Sequence, residues 1–441
     1  MRTRLVQLTT FLALACGLAA SAYEFQPMGF QSVAMGGAGV ASAAGPFAGY
    51  YNPALLALTR RSFELTLGAG MGARDRNLAD NLNQLNKDQL RDTLTNIANN
   101  AFNPANNITQ GNNTKMLNAQ QVLANMSGGN NSLAVMPNAM LAVETGTVAI
   151  GMYGTSDSNG TAVIDPNHLD LIVATTTGGG TAYEQYDPAT NTYSTTTQAN
   201  YNAHSLQYAI NNNLTYVQLN GFGLVEVPIS CARKLHTPIG TLGIGASLKA
   251  MQGYYFNQQA SIDSSANDVV KTSHHNVVNS TRLGVDAGIL LQPIGMSNLT
   301  IGVVGKDLNS PSFKTPIAGS NYTVQPMYRA GADLAFFNSH LELAADCDLT
   351  KNSTLSGAGS QYLGGGVSFR LFNSLMLRAG AMKNLADSTE GTILTAGVGI
   401  GVKQLSLNIA AERSVNHSTV AIDGFNVPGY LWLSASLVSR W

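Results

Sequence analysis

From about residue 217 onward the chain alternates apolar and polar residues in short runs, and each run ends at a turn before the next begins. Residues 341–349 are typical. Leu341, Leu343, Ala345, Cys347 and Leu349 hold the odd positions, and Glu342, Ala344, Asp346 and Asp348 the even ones. Successive side chains of a strand point to opposite faces, so this segment has one apolar face and one carboxylate-rich face. One such strand fits a soluble sandwich. A series of them, with no apolar run long enough for a helical span, predicts an all-β fold: a transmembrane antiparallel β-barrel of about fourteen strands with its apolar side in lipid. The alternation and the turn residues place strands over 62–72, 132–145, 146–155, 217–233, 240–256, 280–292, 299–308, 328–337, 341–350, 361–372, 375–385, 394–403, 405–415 and 430–441.

The connections give a second, independent pattern. From the second strand on, every other joint is short: Thr145-Gly146, 236–239, 293–298, 338–340, Asn373-Ser374 and Gln404. The joints between them are long: 73–131, 156–216, 257–279, 309–327, 351–360, 386–393 and 416–429. Short periplasmic turns alternating with long outside loops are the signature of outer-membrane barrels, and an even strand count returns the C-terminus to the periplasmic side.

Parity then sorts side chains into lumen and lipid faces. Glu64, Glu226, Asp286, Asp333, Glu342, Asp346, Asp348 and Glu412 fall inward, with Lys249, Arg282, Lys306, Arg329, Arg370 and Arg378. Arg329, Asp333, Glu342, Asp346, Arg370 and Arg378 come from the eighth to eleventh strands, where opposite charges on neighbouring ladders pair. The expected product is a lumen charge network, which either holds the barrel's shape or lines a path for substrate or ions. Glycines at the inward positions Gly364, Gly366, Gly397, Gly399 and Gly401 leave room for something inside the barrel.

Two long outside loops break the strand pattern. Leu78, Leu82, Leu85, Leu90, Leu94, Ile97 and Ala101 recur at helical steps, and Met116, Leu117, Val122, Leu123 and Met126 form a second apolar patch. These helices either present a greasy landing surface to a hydrophobic ligand or pack on each other over the barrel mouth. The stretch 156–213, rich in Thr, Asn, Gly and Tyr, points to no function.

The N-terminus sets the compartment. Arg2 and Arg4 precede a mostly apolar segment from Leu5 to Leu18, and Ala20-Ser21-Ala22 is a small-x-small cleavage site. Residues 1–22 are therefore expected to be a signal peptide, with Tyr23 the first mature residue. Only 11% of residues are charged and the net charge is −1, which argues against a nucleic-acid partner. The mature cysteines, Cys231 and Cys347, fall at lipid-facing positions of strands far apart in the barrel and are expected to be free thiols.

Enzyme chemistry finds no support. His168, His204, His236, His274, His275, His340 and His417 are scattered without metal-ligand spacing, and there is no nucleophile elbow. The small-residue run Met35-Gly36-Gly37-Ala38-Gly39-Val40-Ala41 invites a phosphate-loop reading, but no strand leads into it and no Lys-Ser/Thr follows. No cofactor is expected.

That run, with Tyr50-Tyr51-Asn52-Pro53-Ala54 after it, resembles the N-terminal hatch of the FadL-like outer-membrane transporters. Within that group, Val225 to Ser230, Gly302 to Phe313, Ala344 to Lys351, Gln361 to Gly364 and Arg378 to Leu385 resemble outer-membrane proteins of the conjugal transfer TraF type. The resemblance implies a fourteen-stranded barrel, with residues 23–61 as a luminal plug and 62–441 as barrel and loops. It also implies uptake of long-chain fatty acids or other hydrophobic compounds. Only Asn52, Pro53 and Ala54 carry over as gating residues, and the family's ligand-pocket residues find no counterpart. The expectation is a monomer in the outer membrane of a Gram-negative bacterium, surrounded by lipid, passing a small hydrophobic ligand by hatch-gated diffusion. The competing expectation is a structural, secretion- or conjugation-associated barrel that docks a protein partner through its long loops. A general polar pore is disfavoured by the plug and the mixed lumen charges.

Overall fold

The computed structural model describes residues 23–58, 63–88, 90, 92, 110–127, 131–177, 180–190, 192–262, 277–372, 374–402, 404–422 and 425–441. The expected signal peptide, residues 59–61 of the expected plug, the helical positions Leu94, Ile97 and Ala101, and His274-His275 lie outside them.

Fourteen antiparallel strands form one closed barrel. They are β1 Glu64–Arg76, β2 Ser132–Thr145, β3 Val148–Val163, β4 Tyr216–Thr237, β5 Gly240–Ser261, β6 Val278–Pro293, β7 Leu299–Lys306, β8 Met327–Phe336, β9 Leu341–Asp348, β10 Tyr362–Leu371, β11 Leu375–Asn384, β12 Thr392–Gly401, β13 Leu405–Ser414 and β14 Tyr430–Arg440. The first strand closes on the last in continuous register, from Glu64 opposite Arg440 to Arg74 opposite Tyr430. Each expected strand appears in its place, and the short and long connections alternate as the spacing requires. No helix among the described residues is long and apolar enough to cross a membrane. The barrel satisfies its backbone between strands, as a span in hydrocarbon must.

The outward band is apolar. Leu67, Met71, Ile150, Ile229, Leu248, Leu283, Ile289 and Leu437 are all exposed on it. At the short-turn rim stand Phe337, Phe372 and Trp441, with the Trp441 ring 5.5 Å from that of Phe63. Aromatic rings at this level mark the membrane–water interface. Cys231 on β4 and Cys347 on β9 are free thiols on outward positions of non-adjacent strands.

Three strands run five or six residues longer than their alternation suggested. β3 has 16 residues, and β4 and β5 have 22 each. About nine to eleven tilted residues cross a bilayer, so one side of the barrel rises well above the membrane. Asn and Gln at 218, 220, 257, 258 and 259 interrupt the apolar signal there because that part of the wall faces water. The helices Leu78–Lys87 and Gln110–Ser127 lean on this raised side. So do a three-stranded sheet (172–177, 180–187, 192–195) and two short helices (198–204 and 206–211), all within the stretch that carried no sequence signal.

These loops share a core. Leu78, Leu85, Leu90, Met116, Leu123 and Met126 are buried with Ile164, Leu171, Val173, Leu206 and Ile210. The described loop leucines and methionines therefore pack inward, and the landing-surface alternative gives way to the packing one. The sheet and helices of the second loop supply apolar partners that the first loop lacks alone.

One seam interrupts the wall. The β6–β7 ladder runs only from Leu291 opposite Ile301 to Ala287 opposite Gly305. Beyond it the chain turns through Asp307 and Ser310, both at positive φ. There Leu308 N donates to Val285 O at 2.9 Å, and the Asn309 side chain extends the pairing. Its Oδ1 accepts from Val285 N at 3.1 Å, and its Nδ2 donates to Leu283 O at 2.7 Å.

The outward face of the wall should respond to charge according to depth. Arg in place of Leu248, outward and mid-strand, is expected to cost about 2–4 kcal/mol, whereas Arg in place of Ile239 at the rim should cost about 0–1 kcal/mol. Denaturant unfolding in lipid vesicles measures both, and equal costs would mean that β5 does not cross the bilayer.

Candidate functional site

A barrel of this width cannot fill its own lumen with wall side chains. Residues 23–58 lie within it, and nearly all of them are buried. The segment is irregular, with one α-helical turn at Phe30–Ala34, another at Ala48–Tyr51 and 3₁₀ turns at Gly45–Phe47 and Pro53–Leu58. Tyr23 and Glu24 lie toward the long-loop side, against Phe222 and Arg74; the turn 53–58 lies toward the short-turn side, on β4, β5 and β6.

Small residues on both sides let backbone meet backbone. A Cβ on Gly364 would overlap Gly36 O, and one on Gly366 would press on Met35. Gly36 and Gly37 themselves have positive φ, which suits glycine. The expectation of inward glycines making room therefore holds for Gly364, Gly366 and Gly397, the last facing Ala34. Gly399 and Gly401 instead face Asn408 and Ser406 of the next strand, because the inserted segment does not reach that far down the wall.

Asn52 is fully buried. Its Nδ2 donates to Val40 O at 3.1 Å and its Oδ1 accepts from Ala54 N at 3.0 Å, so one amide ties the glycine-rich run to the 3₁₀ turn. Its oxygen fills the space that a Cβ on Gly288 would take. Pro53 and Ala54 pack against Gly245, where again no side chain fits.

The wall grips the backbone of the segment. Asp346 accepts from Gly39 N at 2.8 Å and Val40 N at 2.9 Å. Thr395 accepts from Gly36 N at 3.0 Å and donates to Ala34 O at 2.9 Å. Lys306 donates to Tyr50 O at 2.9 Å, with its ammonium 3.8 Å from the Tyr50 ring centre. Tyr153 donates to Pro46 O at 2.9 Å. Arg329 lies over Phe25 at 4.2 Å and Arg378 over Phe30 at 4.7 Å, geometry suited to cation–π attraction. Burial holds the phenols of Tyr50 and Tyr51 protonated; the Tyr51 hydroxyl exchanges hydrogen bonds with the backbone N and O of Met28, at 2.8 and 3.0 Å.

The expected charge network resolves into separate clusters. Glu226 and Asp286 do meet, around a lysine: Lys249 Nζ lies 2.7 Å from Glu226, 3.0 Å from Asp286 and 2.6 Å from Asp307. Arg329 pairs with Asp348 at 2.6 Å and approaches Asp346 at 4.0 Å. Asp333 and Glu342 sit side by side, with Arg370 and Arg378 near Glu342, and Gln31 donates to Glu342 at 3.2 Å. Arg282 stands apart from Glu226 and Asp286. It lies past the end of β7, where its guanidinium donates to Ser312 O at 2.5 Å and Thr281 O at 2.7 Å.

One cluster was not anticipated. Arg74 binds Glu24 through two hydrogen bonds, at 2.8 and 2.6 Å, and pairs with Glu390 at 2.7 Å. Arg76 pairs with Glu390 at 3.0 Å and Asp387 at 2.9 Å. Burial pushes the Glu24 carboxyl up, and the Arg74 guanidinium beside it reverses this and holds it below the usual range. The signal was available: Arg74 and Arg76 continue the period-two pattern past residue 72, with inward parity.

Little space remains. The cavity between Glu24–Pro27, Gly36-Gly37 and the wall residues Arg74, Met136 and Trp432 has a volume of about 20 Å³, room for roughly one water. Among the described residues no His, Cys, Asp and Glu cluster could hold a metal ion.

Asp346→Ala should leave two buried N–H groups without an acceptor, a penalty of about 1–3 kcal/mol each where water cannot enter. We expect faster hydrogen exchange across 36–42 and more frequent open events in planar bilayers, from a barrel that still migrates as folded. Unchanged exchange in this variant would show that Asp346 does not hold the segment.

Comparison with known proteins places this architecture. The chain is similar to a solved TodX deltaS2S3 mutant monoaromatic hydrocarbon channel, at 12% identity and a TM-score of 0.50, covering 95% of this chain and 100% of that one. It also matches the Ralstonia pickettii toluene transporter TbuX at 15% identity and a TM-score of 0.49, covering 95% and 100%. A Pseudomonas aeruginosa FadL homologue matches at 12% identity and a TM-score of 0.44, with the same coverage of each chain. At these identities the likeness concerns the fold. Comparison with curated proteins gives no match. A family model described as "F plasmid transfer operon, TraF, protein" matches residues 49–348, roughly two thirds of the chain, and to that family the chain belongs.

Proposed function

We propose that this protein is an outer-membrane channel that admits small hydrophobic molecules by hatch-gated diffusion, with residues 23–61 as the hatch and residues 1–22 as the export signal. The observation that carries this reading is the way the lumen is closed. Its filler is the chain's own N-terminal segment, held by hydrogen bonds to its backbone and by small-residue contacts rather than by covalent links. Such a filler can shift without unfolding the wall. Phe25, Phe30, Phe47, Tyr50 and Tyr51 line its contact with the wall, so a path opened beside it has an aromatic side, faced from the wall by Lys306, Arg329 and Arg378. A monoaromatic hydrocarbon channel of similar fold carries cargo of this kind. Asn52, Pro53 and Ala54 form the hatch's hinge on β5 and β6, and the lumen charges anchor the rest. The protein works as a monomer surrounded by lipid.

The raised loop assembly favours a second reading, a protein partner at the outer surface. It has its own core and sheet, more structure than a bare channel mouth requires. The two readings are compatible, because the loops and the hatch occupy different parts of the molecule.

A disulfide lock tests the hatch. A Cβ on Gly49 would stand 3.6 Å from that of Ala149, within the range a disulfide spans. Gly49→Cys with Ala149→Cys, in a background lacking Cys231 and Cys347, should lose most toluene uptake into proteoliposomes when oxidised and regain it on reduction. Undiminished uptake by the oxidised form would refute gating by this segment.

A further inference from the structure

Tyr23 sits in an aromatic socket on the long-loop side of the lumen. Its ring meets Phe222 edge-on, with centroids 5.3 Å apart. Phe222 in turn contacts Tyr322 at 4.6 Å, Phe313 at 5.4 Å and Tyr255 at 6.2 Å, and Tyr255 contacts Tyr322 at 5.6 Å. Leu224, Met251 and Val324 complete the same buried cluster. The wall is shaped for it: Phe313 lies where a Cβ on Gly253 would be, so any side chain there would push Phe313 out of place. Phe222 and Gly253 come from β4 and β5, whereas Phe313 and Tyr322 come from the two short strands of the loop after β7. The socket thus joins rigid wall to loop.

The other end of the Tyr23 ring is polar. Gln26 Nε2 donates to the Tyr23 hydroxyl at 3.2 Å. Thr155 and Asp157, both buried on β3, lie near the same hydroxyl. One Asp157 oxygen has no hydrogen-bond partner. An apolar aromatic chamber that ends in a buried acceptor and an amide is built for a single ring bearing one hydroxyl group.

From this geometry we propose that the socket is a binding site for a phenol, one aromatic ring with a free hydroxyl, and that Tyr23 occupies it as a built-in stand-in. The proposal rests on the channel reading above and names the class of cargo. An incoming phenol displaces Tyr23, taking its place against Phe222 and Tyr322 and its hydrogen bond from Gln26, and donates its own hydroxyl to the open Asp157 oxygen. Tyr23 is joined through Glu24 and Phe25 to the rest of the hatch, so its departure loosens the end of the segment that Arg74 holds. Discrimination follows from the buried acceptor. A site that hydrogen-bonds a hydroxyl disfavours the analogue lacking it, because the polar group is then left unpaired.

The test is calorimetric titration of phenol and toluene into the purified, detergent-solubilised protein. An occupied socket weakens apparent affinity by the fraction of time it is empty. Tyr23→Ala should therefore bind phenol at least tenfold more tightly than the parent protein, with phenol preferred to toluene, and a further Asp157→Ala change should erase that preference. Tyr23→Phe keeps the ring in place and should bind phenol as weakly as the parent. If Tyr23→Ala binds phenol no more tightly while its heat-shifted gel migration shows an intact barrel, the socket is not a ligand site. Equal tightening in Tyr23→Phe would also overturn the stand-in. Proteoliposome uptake separates this from the channel reading. Tight binding by Tyr23→Ala with no uptake of either compound by either protein would keep the socket and sink the channel. Uptake by both with no gain in binding would do the reverse.

Discussion

A strand in hydrocarbon must pair on both edges, and this requirement governs everything else in the molecule. It forces β1 onto β14, fixes an even strand count with both barrel ends at the short-turn rim, and sends one side chain in two toward lipid. It also creates the protein's central problem. Fourteen strands enclose more space than their own side chains fill, and an empty lumen of this width would be an open pore. Residues 23–58 answer it, and the wall is cut to receive them: glycine where backbone must touch, carboxylate or hydroxyl where a backbone N–H would otherwise be orphaned.

The lumen polar groups follow the same logic. Charges withdrawn from water need partners, and breaking a buried pair costs several kcal/mol. Lys249 is surrounded by three carboxylates, and Arg74 by two. Some of these pairs lie within the wall and stiffen it. Others cross from wall to inserted segment, among them Arg74 with Glu24 and Asp346 with the backbone of Gly39 and Val40. The division matters mechanically. On the proposed hatch reading, the first kind remain when the segment shifts, and the second kind set how hard it is to shift.

How much of this was legible depends on the kind of constraint. Strand positions and the facing of Glu226, Asp286, Arg329, Asp346 and Arg378 followed from parity, because a pleated strand leaves a side chain only two directions. Partners did not follow. Parity says that Arg282 points inward, but not that β7 ends beneath it and leaves it bound to Ser312 O. Strand ends were hidden where β3, β4 and β5 leave the membrane, since above lipid the outward face has no reason to stay apolar. Asn52 stood out through its motif, while its pairing with Gly288 depends on a contact across some 236 residues of chain. Tyr23, at the expected cleavage junction, looked like a processing landmark until Phe222, Phe313 and Tyr322 were seen to surround it.

Asn309 carries a consequence of a different order. Along most of the described barrel strands closure rests on peptide groups, which every residue except proline supplies alike, so the ladder itself does not depend on which side chain is present. At the seam beside Val285 and Leu283, one backbone bond, from Leu308 N to Val285 O at 2.9 Å, is joined by two from the Asn309 side chain. A substitution that removes that amide would leave Val285 N and Leu283 O without those partners. The wall therefore depends on the identity of a side chain here in a way that its ladders do not.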